Sequence, residues 1–338
     1  MTTTLLIGTY TLEGGSRGIY QAEFDLATGQ LSSARLAVEQ GDPSYMVLSQ
    51  DGSHLYSVQE GVPSGKMYSY RLTPKGWEED GCLPSGGGAP CHVALNERDQ
   101  ILAVANYFDG VVCLYSLDGN GALHGIKQTI QMEGHGVDLK RQECAHAHQC
   151  TFIGNEILAC DLGTDTVRSY LRGADGLYSE QAPALHVAPG AGPRHLVLTD
   201  DGSMLYLLCE LSNQLYAFRK AQTGWQEAGV WSILPPNTAS VGAAALRISD
   251  DGRFLFASNR GYDSVALFEL DEETRLPALC GIFPCGAFPR DILPIGDYLL
   301  CACQKADKVQ VIAVDAVQKT LSIVGETEVP CPVCLLRA

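Results

Sequence analysis

Short apolar runs separated by tight polar turns recur along this chain at a spacing of 43 to 57 residues. The clearest are Pro193-Arg-His-Leu-Val-Leu-Thr-Asp-Asp-Gly202 continuing to Leu205-Tyr-Leu-Leu-Cys-Glu210, and Ala243-Ala-Ala-Leu-Arg-Ile-Ser-Asp-Asp-Gly252 continuing to Leu255-Phe-Ala-Ser-Asn-Arg260. Aligned on Pro193, equivalent positions fall at Pro43, Pro90, Ala147, Ala243, Pro289 and Pro332, which makes seven copies. Runs such as Ile101-Leu-Ala-Val-Ala-Asn106 are almost continuously apolar, as expected of strands covered on both faces. Asp-Gly at 51–52, 201–202 and 251–252 marks hairpins, because glycine accepts the positive φ such turns need. A third strand follows each hairpin, as in Gln214-Leu-Tyr-Ala-Phe218, Ser264-Val-Ala-Leu-Phe268 and Lys308-Val-Gln-Val-Ile312, and then a more polar fourth. A strand-built period of this length predicts an all-β, seven-bladed β-propeller of four-stranded antiparallel blades.

The last copy, Pro332-Val-Cys-Leu-Leu-Arg337, offers an inner strand with no second strand after it. N-terminal strands over 4–9, 18–24 and 31–38 are expected to complete that blade, so that both chain ends share it and close the ring. Helix is nearly absent. No blade can bury its faces alone, so residues 1–338 are expected to form a single domain.

The net charge of −16 argues against nucleic acid or an anionic membrane as a partner. No apolar run approaches the ~20 residues of a spanning helix. The first ten residues read as a strand, without a basic leader or cleavage site, which points to the cytoplasm. The thirteen cysteines are an odd number and lie mostly inside apolar strands, as buried reduced thiols do. Cys331-Pro-Val-Cys334 opens a strand and has no second pair to complete a zinc site, so no metal and no cofactor are expected.

Strands one and two of a copy are antiparallel, so the start of the first lies beside the end of the second. Symmetry about the hairpin glycines sets Arg194 against Glu210, Ala244 against Arg260 and Ser44 against Glu60. One end of the blades therefore collects Tyr10, His92, Asn106, His146, His148, Arg194, His195, Glu210, Arg260, Arg290 and Gln304. The connections over 131–144 and 234–242 reach the same end and could cover it. Arginine supplies rigid bidentate donors for an anion, and His148 or Glu210 is able to accept a proton near neutral pH. Each of these residues could instead tie down a loop, and Arg194 with Glu210 could be a plain cross-strand ion pair. His54, His124, His135 and His186 read as surface residues, and Trp77, Trp225 and Trp231 as packing on outer strands.

Several of these segments carry a resemblance. Leu6-Ile-Gly-Thr-Tyr-Thr11, Ala145-His-Ala-His148 with Asp161-Leu-Gly-Thr-Asp165, Gly192-Pro-Arg-His195 with Glu210-Leu-Ser212, and Ser258-Asn-Arg-Gly261 resemble the seven-bladed propeller lactonase family. That family includes the propeller type of 6-phosphogluconolactonase and a fungal 3-carboxy-cis,cis-muconate cyclase. The resemblance covers essentially the whole chain. By likeness to the cyclase it implies that His148, Glu210, Arg194 and Arg260 are the catalytic set. Arg290, His195, Gln304, Asn106, His92 and Tyr10 complete the candidate substrate contacts. The chain departs from the family pattern at Cys209 and Cys303, where Asn is frequent, and at Cys144-Ala145, where a Pro is common. The implied function is hydrolysis of a small anionic lactone, foremost 6-phosphoglucono-1,5-lactone, by a monomer or weak homo-oligomer. A lactonising cycloisomerase acting on a muconate and a non-catalytic binding platform are the alternatives.

Overall fold

A computed structural model describes every residue except 13, 14 and 240. Its sheets are seven, each antiparallel, and they follow the sequence repeats in order. Blade 1 comprises Met46–Leu48, His54–Gln59, Lys66–Thr73 and Gly76–Pro84; blade 2 comprises Pro90–Asn96, Ile101–Asn106, Val111–Leu117 and Leu123–Gln131. Blade 3 runs from Ala147–Ile153 through Glu156–Asp161 and Thr166–Arg172 to an outer strand in two pieces, Tyr178–Glu180 and Leu185–His186. Blades 4, 5 and 6 begin at Pro193–Leu198, Gly242–Ile248 and Pro289–Ile295. Blade 7 joins the two chain ends: Pro332–Arg337 pairs with Thr2–Thr9, which pairs with Gly18–Asp25. Its outer strand is again split, into Gln30–Leu31 and Arg35–Glu39. The single helical turn among the described residues is Gln304–Ala306.

Two compact units are distinguished, Ala37–Pro193 and Met1–Leu36 with Arg194–Ala338. In each, the cores lie between consecutive blades rather than within one. Tyr206 and Leu208 of blade 4 are buried against Leu246, Leu255 and Ala257 of blade 5. Ala103, Val112 and Leu114 of blade 2 meet Ile157 and Ala159 of blade 3 in the same way. Second strands are buried throughout, as in Met204–Cys209, because both faces are covered. Outer strands alternate between half-buried and exposed, as in Leu123–Gln131, where one face meets solvent. The tryptophans at 77, 225 and 231 lie on outer strands as expected. His124, His135 and His186 are exposed, but His54 is not. It is only 7% exposed, with Nδ1 3.0 Å from Ser53 Oγ and Nε2 3.4 Å from Asp80 Oδ2. Gly121 packs against its ring, which covers what the sequence reads as a turn position.

Candidate functional site

A backbone device at the start of the inner strands sets which side chains can converge. The four inner strands that open with proline are each preceded by a left-handed residue, Ala89, Gly192, Phe288 and Cys331, with φ of 50°, 70°, 61° and 47°, and Asp42 at 39° precedes Pro43 just ahead of Met46–Leu48. The right-handed helical region is disfavoured before proline, and this turn aims the chain into the sheet. One further residue then falls out of register. Pro90 pairs with Asn106 but His92 with Ala105, Ala147 with Asp161 but Gln149 with Cys160, and Pro289 with Cys303 but Asp291 with Ala302. The strand register skips Cys91, His148 and Arg290. A bulge of this kind re-aims a side chain, and three candidate positions of the sequence reading sit on it or beside it. It also corrects the simple symmetry about the hairpin: Arg260 pairs with Gly242, not Ala244.

In the unit formed by 1–36 and 194–338, four cations gather. Glu210 Oε2 lies 2.9 Å from Arg194 Nε and 2.9 Å from Arg260 Nη2. Both partners are held by backbone as well: Arg194 Nη1 donates to the Ala244 carbonyl, and Arg260 donates to the carbonyls of Gly242 (3.2 Å) and Ala243 (2.9 Å). Arg194 Nη1 also lies 3.0 Å from His195 Nε2; a guanidinium only donates, so that nitrogen accepts and His195 is neutral. Arg194, His195, Glu210 and Gln304 are each about 5% exposed or less. Arg290 donates to the Tyr10 hydroxyl and stands 4.8 Å over the Tyr10 ring. Burial pulls the Arg260 guanidinium below its ordinary value; Glu210 opposes that shift, and Arg290 adds to it. Phe288 forms a second aromatic support, with Arg260 5.5 Å and Lys305 4.2 Å from its ring centre. Gln304 Oε1 is buried with no hydrogen-bond partner among the described residues. Such an orphan acceptor in a native protein asks for an explanation.

The 37–193 unit holds His92, His146 and His148. His148 Nδ1 is 3.9 Å from Cys91 Sγ, and its ring meets Tyr107 edge-on at 5.6 Å. His92 packs on Tyr45 at 4.2 Å. His146 stacks on the Tyr107 ring at 4.5 Å. Asn106 is committed to its own blade, its side-chain nitrogen donating to the carbonyls of Ser85 (3.1 Å) and Val111 (3.2 Å). Asn259 stands at the equivalent place in blade 5 and donates to the Ile233 carbonyl at 2.8 Å. The Asp161-Leu-Gly-Thr-Asp165 motif is likewise a loop anchor. Asp161 accepts from the backbone of His146 and Gly163 and from Arg168, and Asp165 from the backbone of Gly190 and Gly192.

Phe288, Lys305, Cys91 and Tyr107 escaped the sequence reading. Two carried a usable signal, since Cys91 aligns with Arg194, and Lys305 follows Gln304. Of the two long connections, 234–242 contains Ser240, which lies outside the described residues. A cavity of about 570 Å³ opens at the hairpin end of blades 4 and 5, walled by Asp200, Asp201, Asp250 and Asp251 with Arg275. Four carboxylates make it unsuited to an anion, and the cationic cluster lies at the other end of the same strands.

A family model described as "Lactonase, 7-bladed beta-propeller" matches residues 4–337. The 6-phosphogluconolactonase of Bacillus subtilis is 31% identical over 340 residues, covering 97% of this chain and 96% of the relative. A periplasmic gluconolactonase of Pseudomonas aeruginosa superposes with a TM-score of 0.93 at 29% identity, over 100% of this chain and 99% of that one. A Lactobacillus plantarum protein of solved structure gives 0.92 at 32% identity over the full length of both. The chain belongs to the seven-bladed β-propeller lactonase family.

Proposed function

We propose that the protein hydrolyses 6-phosphoglucono-1,5-lactone to 6-phosphogluconate. The observation that carries this reading is the shared Glu210 oxygen, held between the buried guanidinium groups of Arg194 and Arg260. With Arg290 and Lys305 close by, the cluster keeps a positive excess in a chain of net charge −16. A phosphorylated sugar lactone carries the complementary charge. Attack of water on the lactone carbonyl puts negative charge on its oxygen, and preorganised N–H donors stabilise that charge most where they cannot reorganise. Arg260 and Arg194 fill this role, because Glu210 and the backbone carbonyls fix both in place. Arg290 and Lys305 bind the phosphate, and Gln304 accepts a hydrogen bond from a sugar hydroxyl. Tyr10 and His195 orient the arginines they touch.

Water activation falls to Glu210 or to His148, and the two are tested separately by Glu210→Gln and His148→Asn. Asn106 and His92 act by holding their own blade. That the Bacillus subtilis relative is a 6-phosphogluconolactonase supports the substrate, and the family match over 4–337 supports one domain. Cysteines that are mostly buried fit a reducing compartment, which favours the cytoplasm, whereas the Pseudomonas neighbour is periplasmic. No helix among the described residues is long and apolar enough to cross a membrane. The test is turnover of the phosphorylated lactone by purified protein against the spontaneous rate, with Arg260→Ala in parallel. Wild-type hydrolysis no faster than the uncatalysed reaction would overturn the proposal.

A further inference from the structure

Three different metal-binding donors meet within the 37–193 unit, on residues the proposed hydrolysis does not use. The Glu143 carboxylate, the Cys144 thiol and the His146 imidazole each present an atom within 4.8 Å of the others. His146 Nε2 is 3.5 Å from Glu143 Oε2 and 3.8 Å from Cys144 Sγ. In a tetrahedral zinc site, metal–nitrogen and metal–sulfur bonds near 2.1 and 2.3 Å place ligand atoms about 3.3 to 3.6 Å apart. Cys144 Sγ is also 4.0 Å from His146 Nδ1, so coordination at Nε2 requires the thiol to swing towards that nitrogen by rotation of its side chain.

The imidazole is already prepared. Its Nδ1 lies 2.8 Å from the Tyr107 carbonyl, which can only accept, so Nδ1 carries the proton and Nε2 keeps the lone pair. A backbone carbonyl on the far nitrogen is the usual support of a metal-bound histidine. The Tyr107 ring, stacked at 12°, fixes the plane of the imidazole. The backbone between the ligands is clamped from both sides. A Cβ at Gly163 would lie 1.8 Å from the Cys144 carbonyl oxygen, and one at Gly110 would lie 2.5 Å from that of Ala145. Gln142, fully buried, donates to the Leu162 carbonyl at 2.9 Å and to Asp165 at 2.8 Å just before the trio begins. Ligands on so constrained a segment lose little freedom on binding.

We propose that Glu143, Cys144 and His146 form a binding site for a divalent cation of the zinc class. Its fourth position is left to water. A thiolate with an imidazole selects zinc over magnesium or calcium, and the carboxylate balances charge. Binding replaces the Cys144 thiol proton, which leaves to solvent.

The experiment titrates reduced, full-length protein with Zn²⁺ against a chromophoric chelator, and with Co²⁺ while recording the near-ultraviolet thiolate-to-cobalt band. One equivalent of each metal is expected. Cys144→Ser abolishes the cobalt band and weakens zinc by about tenfold or more. Glu143→Gln, at an exposed position that leaves folding intact, weakens zinc without removing the band. A double Cys331→Ser, Cys334→Ser variant binds as wild type. Absence of a stoichiometric site, its survival in Cys144→Ser, or its loss in the Cys331/Cys334 variant overturns the assignment. None of these readouts depends on lactone hydrolysis.

Discussion

Blades 4 and 5 have matching backbones, yet the two ends of their first strand pair behave differently. At the hairpin end the side chains repeat along with the backbone. Asp201 Oδ1 accepts from Thr199 Oγ1 (2.6 Å) and from the Ser203 backbone (3.0 Å), while Gly202 adopts φ +65°. Asp251 Oδ1 accepts from Ser249 Oγ (2.6 Å) and from the Arg253 backbone (3.0 Å), with Gly252 at φ +69°. Blade 1 repeats it a third time with Ser49, Asp51 and Gly52. At the opposite end the corresponding sequence positions hold Arg194 and Glu210 in one blade, Ala244 and Arg260 in the next, the last of these pairing with Gly242. Residues that recur among these three blades hold the chain, whereas residues that differ between copies make one blade chemically unlike its neighbour.

Substitutions at the two ends test that division. Glu210→Ala is expected to do the most damage, because it leaves two buried guanidinium groups facing each other without their shared carboxylate. Loss of one partner from a buried pair costs about 3 kcal/mol or more, to be read by denaturant unfolding. The drop in kcat/KM should be about a thousandfold. Arg260→Ala removes one donor and should lower kcat/KM about a hundredfold with a milder loss of stability. Arg260→Lys should recover little, since a lysine cannot span Glu210 and two carbonyls. Lys305→Ala should raise KM for the phosphorylated lactone about tenfold, the effect of one exposed charge contact, and leave kcat unchanged. Its KM for the unphosphorylated lactone should not move, and an equal rise for both substrates would remove Lys305 from phosphate recognition.

At the hairpin end, Asp201→Asn should change activity not at all and stability slightly. Its hydrogen bonds from Thr199 and Ser203 hold the carboxyl down to about 2, below its usual 3.8. A depressed carboxylate contributes stability above its unfolded value, and the contribution is lost as pH falls through the folded one. The melting temperatures of wild type and variant should therefore differ at pH 7 and converge between about pH 4 and pH 2. A loss of turnover in this variant would blur the distinction between the two ends.

The blades and their polar ends were legible in the residues because both follow from periodicity. Apolar alternation, Asp-Gly turns and the unfinished last copy suffice to pair Pro332–Arg337 with Thr2–Thr9. What escaped depends on backbone angles or on packing across blades, neither of which has a one-letter signature. The offset of Arg260 onto Gly242 comes from a bulge in a run of alanines that gives no hint of it. His54 looked exposed since it follows a turn, but a glycine of the next blade covers it. Phe288 carries two cations because of its left-handed backbone, unusual for an aromatic residue. The sequence reading weighed metal chemistry only at Cys331 and Cys334 and set it aside; the nearness of Cys144 and His146 to Glu143 depends on a loop anchored through Gln142, which spacing does not show.

The out-of-register residue at the head of the inner strands bears on how such a chain acquires new substrates. A side chain in the ladder is constrained by its cross-strand partner, so replacing it disturbs two strands. At Cys91, His148 and Arg290 the register skips one position, so the ladder on either side is set by the flanking pairs. A thiol, an imidazole and a guanidinium occupy one geometric slot on one scaffold, and strand pairing is indifferent to the choice. Substrate preference can therefore drift by single substitutions at one address per blade. Exchanging residues among these addresses offers a route to changing the chemistry of one strand head at a time without redesigning the protein.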